Sequence, residues 1–366
     1  MACLRRSWLL AAVGPALDYR CRREGRLIEL LALCDEELLQ ALGGRRREEL
    51  EQRYADFRPS QILAAEDVSP LCRHDPRFPR ALSGEAAPRM LYVGGGAERF
   101  KRLTDAPVVA IAGSAWATDY GMETAKSLAR GLAASGVTVA SGLTDGIAVA
   151  AQAGALEVDA GTVAVAGAGL DVASPAKRRS LYAQVRRLGC AVAELPSGAP
   201  ARRWGQPASE RILAGLATLT VVVEARDSPR ELALARLAVG LKRVVAAVPG
   251  RVTSSASGGT HTLLLGGAHL VRGPSDVLEL LYRMGARGAV AAGAESEPGY
   301  LHTGLDERLK RTLEAVGAGR DTPEKLNRGC RDPQQVLLAL SELELLGLLA
   351  RGDGGRYVPR DAACPG

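Results

Sequence analysis

Residues 108–146 read VVAIAGSAWATDYGMETAKSLARGLAASGVTVASGLTDG. The apolar run Val108 to Ala112 stops at Gly113-Ser114, as a buried strand does on meeting a turn. After Gly121, apolar side chains at Met122, Ala125, Leu128, Ala129 and Leu132 recur at helical spacing, and Gly136 supplies the stop. Val137 to Ala140 is strand-like again and closes at Ser141-Gly142. This is a βαβ unit, because parallel strands need a crossover helix, and ligands of such sheets sit outside the carboxyl ends of the strands. Gly113-Ser114-Ala115 and Ser141 to Gly146 are the loops at those ends.

Working outward, the alternation continues. Thr162–Ala166, Ala191–Leu195, Leu219–Val223 and Val244–Val248 read as strands, ending in Gly167-Ala168-Gly169, Pro196, Glu224-Ala225 and Pro249-Gly250. Helical stretches at Arg178–Leu188, Ser209–Leu216, Pro229–Leu241 and Thr260–Leu265 lie between or after them. The fold class predicted is α/β, an extended Rossmann-like parallel sheet over residues 108–285. Residues 1–70 read as a small helical, SAM-like domain, and 71–107 as a connector with one extra strand at Met90–Val93. Residues 286–303, rich in alanine, glycine and glutamate, read as a linker. In 304–366, Leu305, Leu309, Leu313 and Val316 share a helical face, Thr322-Pro323 and Asp332-Pro333 start two more helices, and Gly352–Gly355 tips a hairpin. Three helices and a hairpin predict a winged helix. Its recognition-helix position carries Asp332, Glu342 and Glu344, which repel phosphate, so a protein contact suits it better than DNA.

The 366 residues are 47% hydrophobic and 24% charged, an ordinary globular balance with room for two or three domains. A net charge of +6 suits an acidic partner, though arginines also collect on solvated faces. The seven cysteines are dispersed, without metal-ligand spacing, as reduced thiols in a cytoplasmic protein. Arg5-Arg6 and the run Trp8–Leu17 resemble a leader, but without a small-residue cleavage site they read as a first helix with Trp8, Leu9 and Leu10 in a core. No stretch is long enough for a membrane span.

The phosphate-binding loop G-x-x-x-x-G-K-[ST] does not occur, and Gly167-Ala168-Gly169 lacks the third glycine of the dinucleotide fingerprint. His261 has no nucleophile elbow near it, so neither a catalytic triad, a metal nor a cofactor is expected. Backbone amides at Gly113, Ser114, Gly142 and Gly146 offer a phosphate cradle, with Ser141 a further candidate contact, and Gly258-Gly259 forms a later glycine loop. Lys177, Arg178, Arg202, Arg203 and Arg211 add charge, and Trp204 adds an aromatic face. Charge plus stacking is what a single-stranded nucleic-acid groove uses. The plainer reading stays open: glycines that permit tight turns and arginines on solvated helices.

In order, these motifs resemble those of the DNA-processing protein A (DprA/Smf) family: Gly113-Ser114, Ser141-Gly142-Leu143 with Gly146-Ile147, Gly167 to Asp171 with Pro175, Glu194-Leu195-Pro196, Pro207 with Arg211 to Leu216, Val222 to Ala225, Val248 to Gly250 and Gly267 to Val271. Asp75 to Pro79 and Leu91 to Val93 extend the likeness upstream. The resemblance implies a homodimer that binds single-stranded DNA without hydrolysing it and loads a RecA-type recombinase in DNA uptake and recombination. At the loops that should touch DNA the sequence departs from the family. Ala115 replaces the arginine after Gly-Ser, and Thr144-Asp145-Gly146-Ile147-Ala148 stands for A-R-G-I-D. In Gln206 to Arg211 only the last arginine of F-P-x-R-N-R is kept. Arg226 to Arg230 replaces a serine-glycine-serine loop, and His261 an asparagine. The expectation is therefore weakened DNA affinity unless neighbouring groups compensate. Two alternatives are a nucleotide hydrolase of the phosphoribohydrolase type, using Glu224 or Glu194, and a dimeric scaffold whose groove is vestigial.

Overall fold

A computed structural model describes residues 1–24, 26–62, 67–84, 87–158, 160–172, 179–285, 306–317, 322–327, 333–346, 348–351 and 357–359. Lys177, Arg178, the 286–303 linker, Asp332 and the hairpin tip at 352–355 lie outside the described residues. The chain divides into two compact units, Met1–Ala294 and Glu295–Gly366.

The first unit begins with helices α1 (Ala2–Ala12), α2 (Gly14–Glu24), α3 (Leu27–Ala32), α4 (Asp35–Leu42) and α5 (Arg47–Ala55). Local chemistry sets their ends. Cys34 caps α4, its Sγ accepting from Glu37 N at 3.5 Å while its own N donates to Glu37 Oε2 at 2.9 Å. These helices bury Trp8, Leu9, Leu10, Leu17 and Leu38 in one cluster, which also takes in Leu195, Trp204 and Ala208 from the α/β region. Arg6 and Asp35, both buried, pair at 2.9 Å, and Arg6 also donates to Leu31 O, so neither charge is left uncompensated.

The rest of this unit is one mixed sheet of nine strands among the described residues. Its elements are β1 (Val68–Cys72), β2 (Met90–Gly94), α6 (Ala97–Asp105), β3 (Val108–Ala112), α7 (Asp119–Ala134), β4 (Thr138–Gly142), α8 (Ile147–Leu156), β5 (Thr162–Ala166) and α9 (Arg179–Leu188). They continue as β6 (Cys190–Ala193), α10 (Gly205–Leu216), β7 (Leu219–Val222), α11 (Ala233–Gly240), β8 (Val244–Ala247), α12 (Gly258–Leu265), β9 (His269–Leu270) and α13 (Pro274–Arg283). The order is β1-β2-β6-β5-β4-β3-β7-β8-β9. From β6 to β9 all neighbours are parallel, and β1 and β2 close one edge antiparallel. Both faces are covered, so strands such as Thr162–Ala166 are buried at every position. One layer packs Phe100, Leu213 and Leu234 against the sheet, the other Leu128, Leu132, Ile147 and Val277. The chain order reverses between β3 and β7, which opens a crevice at their carboxyl ends.

Four elements depart from the expectation. Val68–Cys72 is a strand where residues 1–70 read as helical, and Pro70 fits because β1 is an edge strand. Helices α6, α8 and α13 lie where no helix is expected. In α8, Ile147, Ala148, Ala150, Ala151, Gln152, Gly154, Ala155 and Leu156 are all buried, so there is no polar face to produce a period.

The second unit contains helices Glu307–Gly317, Pro323–Asn327 and Pro333–Leu345, and strands Leu349–Arg351 and Tyr357–Pro359 that pair antiparallel. Leu309, Val316, Leu326, Val336, Leu340, Leu343, Leu349 and Tyr357 form its core.

Helices α7 and α8 approach so closely that a Cβ on Gly154 would stand 2.1 Å from Lys126 O. Inside a helix, glycine to alanine normally stabilises by about 0.5–1 kcal/mol. Here the sign should reverse, with Gly154→Ala losing about 1–3 kcal/mol by overpacking, measured as a lower urea midpoint.

Candidate nucleic-acid interface

At the reversal point the loop after β3 is tied to the segment after β7. Ser114 N donates to Glu224 O at 2.6 Å, and the buried Glu224 carboxylate accepts from Thr118 N at 2.9 Å and Thr118 Oγ1 at 3.0 Å. Thr118 caps α7 in turn, its Oγ1 accepting from Gly121 N at 3.2 Å. A protein carboxylate thus sits where a Rossmann-type sheet would offer its first helix end to phosphate. The glycines here answer to chain packing: a Cβ on Gly113 would lie 2.5 Å from Glu224 O, and one on Gly146, at φ +68°, 2.2 Å from Ser114 O. Ser141 Oγ donates to Ile111 O at 2.7 Å, and Ser114 Oγ accepts from Trp116 N at 3.1 Å. Both serine side chains are therefore committed internally.

Beside this knot lies a groove of about 620 Å³ over the ends of β3, β4 and β5. Its floor includes Gly113, Ser141, Gly142 and Gly167, and its walls Gln206, Glu210, Arg226 and Arg230. Arg202, half-buried, reaches the rim and pairs with Asp18 at 3.6 Å. Arg226 faces Glu231 at 4.0 Å, and Arg230 donates to Gln206 Oε1 at 3.3 Å. Asp145, Glu210 and Glu231 stand among the same lining residues as Arg202, Arg226 and Arg230, so the groove is close to neutral.

Of the residues expected to bind DNA, Gly113, Ser141, Gly142 and Arg202 come together here. Two expectations are corrected. Trp204 is 1% exposed and packed among the N-terminal helices, so it offers no stacking face. Arg211 is 6% exposed and ion-paired to the buried Glu194, so its guanidinium does not reach a phosphate. Arg203 is exposed but outside the groove lining. Gly259 N donates to Ala225 O at 2.8 Å, and a Cβ there would meet Arg226 O at 2.5 Å; with Gly258 it backs the loop that carries Arg226. With Glu224 capping α7 and Glu194 paired to Arg211, neither carboxylate is presented to the groove as the hydrolase alternative requires.

The aromatic face lies elsewhere. Trp116 lines the groove and is 80% exposed. Tyr120, in the first turn of α7, is 60% exposed. Trp116 stands two residues after Ser114, in the very loop that opens the site. An aromatic at a strand end, off any core-facing period, was the available signal.

The geometry defines a groove at the carboxyl ends of a Rossmann-type sheet, and comparison with known proteins gives the chain a family. The model of the DNA recombination-mediator protein A family matches residues 69–282, more than half of the chain. The chain belongs to that family. It is 39% identical over 256 residues to a putative DNA processing protein DprA of Mycobacterium tuberculosis, covering 69% of this chain and 65% of the relative. The match thus spans just under two thirds of that relative's length. Protein Smf of Escherichia coli is 32% identical over 323 residues, 85% of this chain and 77% of its own. The X-ray structure of DprA from Streptococcus pneumoniae superposes with a TM-score of 0.61 at 27% identity, over 76% of this chain and 95% of that one. DNA processing protein A from Helicobacter pylori, described for its single-stranded DNA binding mode, gives 0.52 at 25% identity, over 59% and 96%.

Burial pushes the Glu210 carboxyl up from 4.5 to about 7, against the pull of Gln206 and Arg230. The unfolded chain therefore loses this proton at lower pH than the folded one. Stability should fall as pH rises from about 4.5 through about 7 and then level off, and Glu210→Gln should remove that decline. Urea midpoints compared at about pH 5 and about pH 8 check it.

Proposed function

We propose that this chain binds single-stranded DNA along the groove over β3, β4 and β5, without hydrolysing it. The observation that carries this reading is Trp116, 80% exposed on a groove that also holds Arg202, Arg226 and Arg230. Bases stack on an aromatic face while guanidiniums meet phosphates, a combination indifferent to sequence. The Helicobacter pylori relative's binding of single-stranded DNA supports the same assignment. Because Arg202 and Arg226 stand beside Asp18 and Glu231, and Arg230 is engaged with Gln206, affinity is modest and rests more on stacking than on charge. Within this reading the protein acts in DNA uptake and recombination, in the cytoplasm, by handing its strand to a RecA-type recombinase. The described residues contain no helix long and apolar enough to cross a membrane. Residues 304–366 serve as a winged helix that contacts protein. The fold reading also divides the first unit into a helical domain at 1–70, the last three residues of which enter strand β1, a connector at 71–107 and the DNA-binding domain at 108–285.

A labelled oligothymidine titrated by fluorescence anisotropy tests the assignment. Trp116→Ala should weaken binding about 5- to 150-fold, as expected for about 1–3 kcal/mol per stacked base. Three phosphate contacts give a log–log salt slope of about −2, at about −0.7 per phosphate on a single strand. Absence of binding at low salt would overturn the proposal and leave the scaffold reading.

The homodimer belongs to the same proposal. Edge strand β9 is exposed, and Leu270 within it and Leu265 just before it are 53% and 91% exposed. An unpaired edge with apolar side chains is a natural surface for a second copy. Light scattering should give twice the chain mass for the unmodified protein and the single mass for the Leu265→Arg, Leu270→Arg double variant.

A further inference from the structure

We propose that Cys3, Cys72 and His74 form a binding site for a thiophilic d10 metal ion, with Zn2+ as its reference ligand. Cys72 and His74 are two residues apart and Cys3 lies 71 before His74, so the fold is what brings the third ligand to the pair. Cys3 is in the first turn of α1, Cys72 ends β1, and His74 lies in the turn that follows. Cys3 Sγ stands 3.5 Å from His74 Nδ1, and Cys72 Sγ stands 3.1 Å from the same nitrogen. All three ligand atoms lie within 4.8 Å of one another.

Those separations suit a shared ion. Sulfur at about 2.3 Å and nitrogen at about 2.0–2.1 Å from a tetrahedral zinc stand about 3.6 Å apart, so the two sulfur–nitrogen spacings need shifts of no more than about half an ångström. The donor set is also selective, since two thiolates with an imidazole favour zinc-like ions over magnesium or calcium, which take oxygen. Two thiolates balance the charge of a divalent ion, which the partly buried position requires: Cys3 is buried, Cys72 half-buried and His74 exposed. Binding is balanced as one Zn2+ plus two thiols giving one neutral dithiolate complex and two protons released to solvent. The imidazole binds neutral through Nδ1, keeping its proton on Nε2. Asp75, next in sequence, is engaged with Arg77 at 2.6 Å, so the fourth position falls to water.

The site has a structural consequence. Among the described residues strand β1 pairs only with β2, and α1 belongs to the N-terminal helical layer. An ion held by Cys3 and Cys72 fastens that layer to the free edge of the sheet, adding its binding energy to folding.

The test uses the full chain, reduced with a phosphine and freed of metal, titrated with Zn2+ against a chromophoric chelator. The unmodified protein should take up one ion, at least about 100-fold more tightly than Cys72→Ser or His74→Ala, consistent with loss of a direct ligand. Cys34→Ser, at an exposed helix cap where serine is equally suited, should bind as the unmodified protein does. Calorimetry in two buffers of different ionisation enthalpy should count about two protons released per ion. Because His74 is exposed, His74→Ala is expected to fold, and far-ultraviolet circular dichroism confirms that. Equal affinity in His74→Ala and the unmodified protein overturns the site, as does failure of the reduced protein to bind Zn2+. Formation of a Cys3–Cys72 disulfide with no zinc uptake by the reduced protein overturns it in favour of a thiol pair.

Discussion

Glu224 holds the site in shape. Its backbone carbonyl takes the Ser114 amide, and its carboxylate takes both Thr118 donors, so the loop after β3 and the segment after β7 become one unit. The same contact neutralises the positive end of α7, the feature by which many sheets of this topology attract phosphate. Gly113 and Gly121 follow from it: a side chain at either would collide with Glu224, at 2.5 Å from its carbonyl oxygen and 2.0 Å from its carboxylate. With the helix end filled from within, a ligand is left the floor made by the ends of β3, β4 and β5.

Much of this was legible in sequence. Strands β3, β5, β7 and β8 are short apolar runs bounded by glycine, proline or a polar residue, and each was placed within a residue of its observed ends. Two of the misses, α8 and β1, have a physical cause in common. Periodicity reports the contrast between a wet and a dry face, and α8 has no wet face, while β1 is a proline-bearing edge with little pattern at all.

The site was harder to read than the fold. Trp204 drew notice because two arginines precede it, but Ala208 and Ile212 follow at helical spacing and lie with it in the interior. Arg211 shares that inward face, where a charge persists only beside an opposite one, and Glu194 supplies it. Composition shows that arginines and a tryptophan are present; only packing says which of them meets solvent. Trp116 escaped notice for the converse reason, sitting alone in a loop whose small residues drew attention to the backbone.

The pairing of the groove's arginines bears on time as well as strength. Under the proposed function, a strand entering this groove meets guanidiniums that already have partners, so each phosphate contact forms by exchange. With positive and negative groups interspersed in the groove, attraction comes from the chain's overall charge of +6 and not from a field focused at the site. Few exclusive contacts also mean quick departure, since related surfaces differ mostly in how fast they let go. A groove built this way would hold a strand briefly and pass it on.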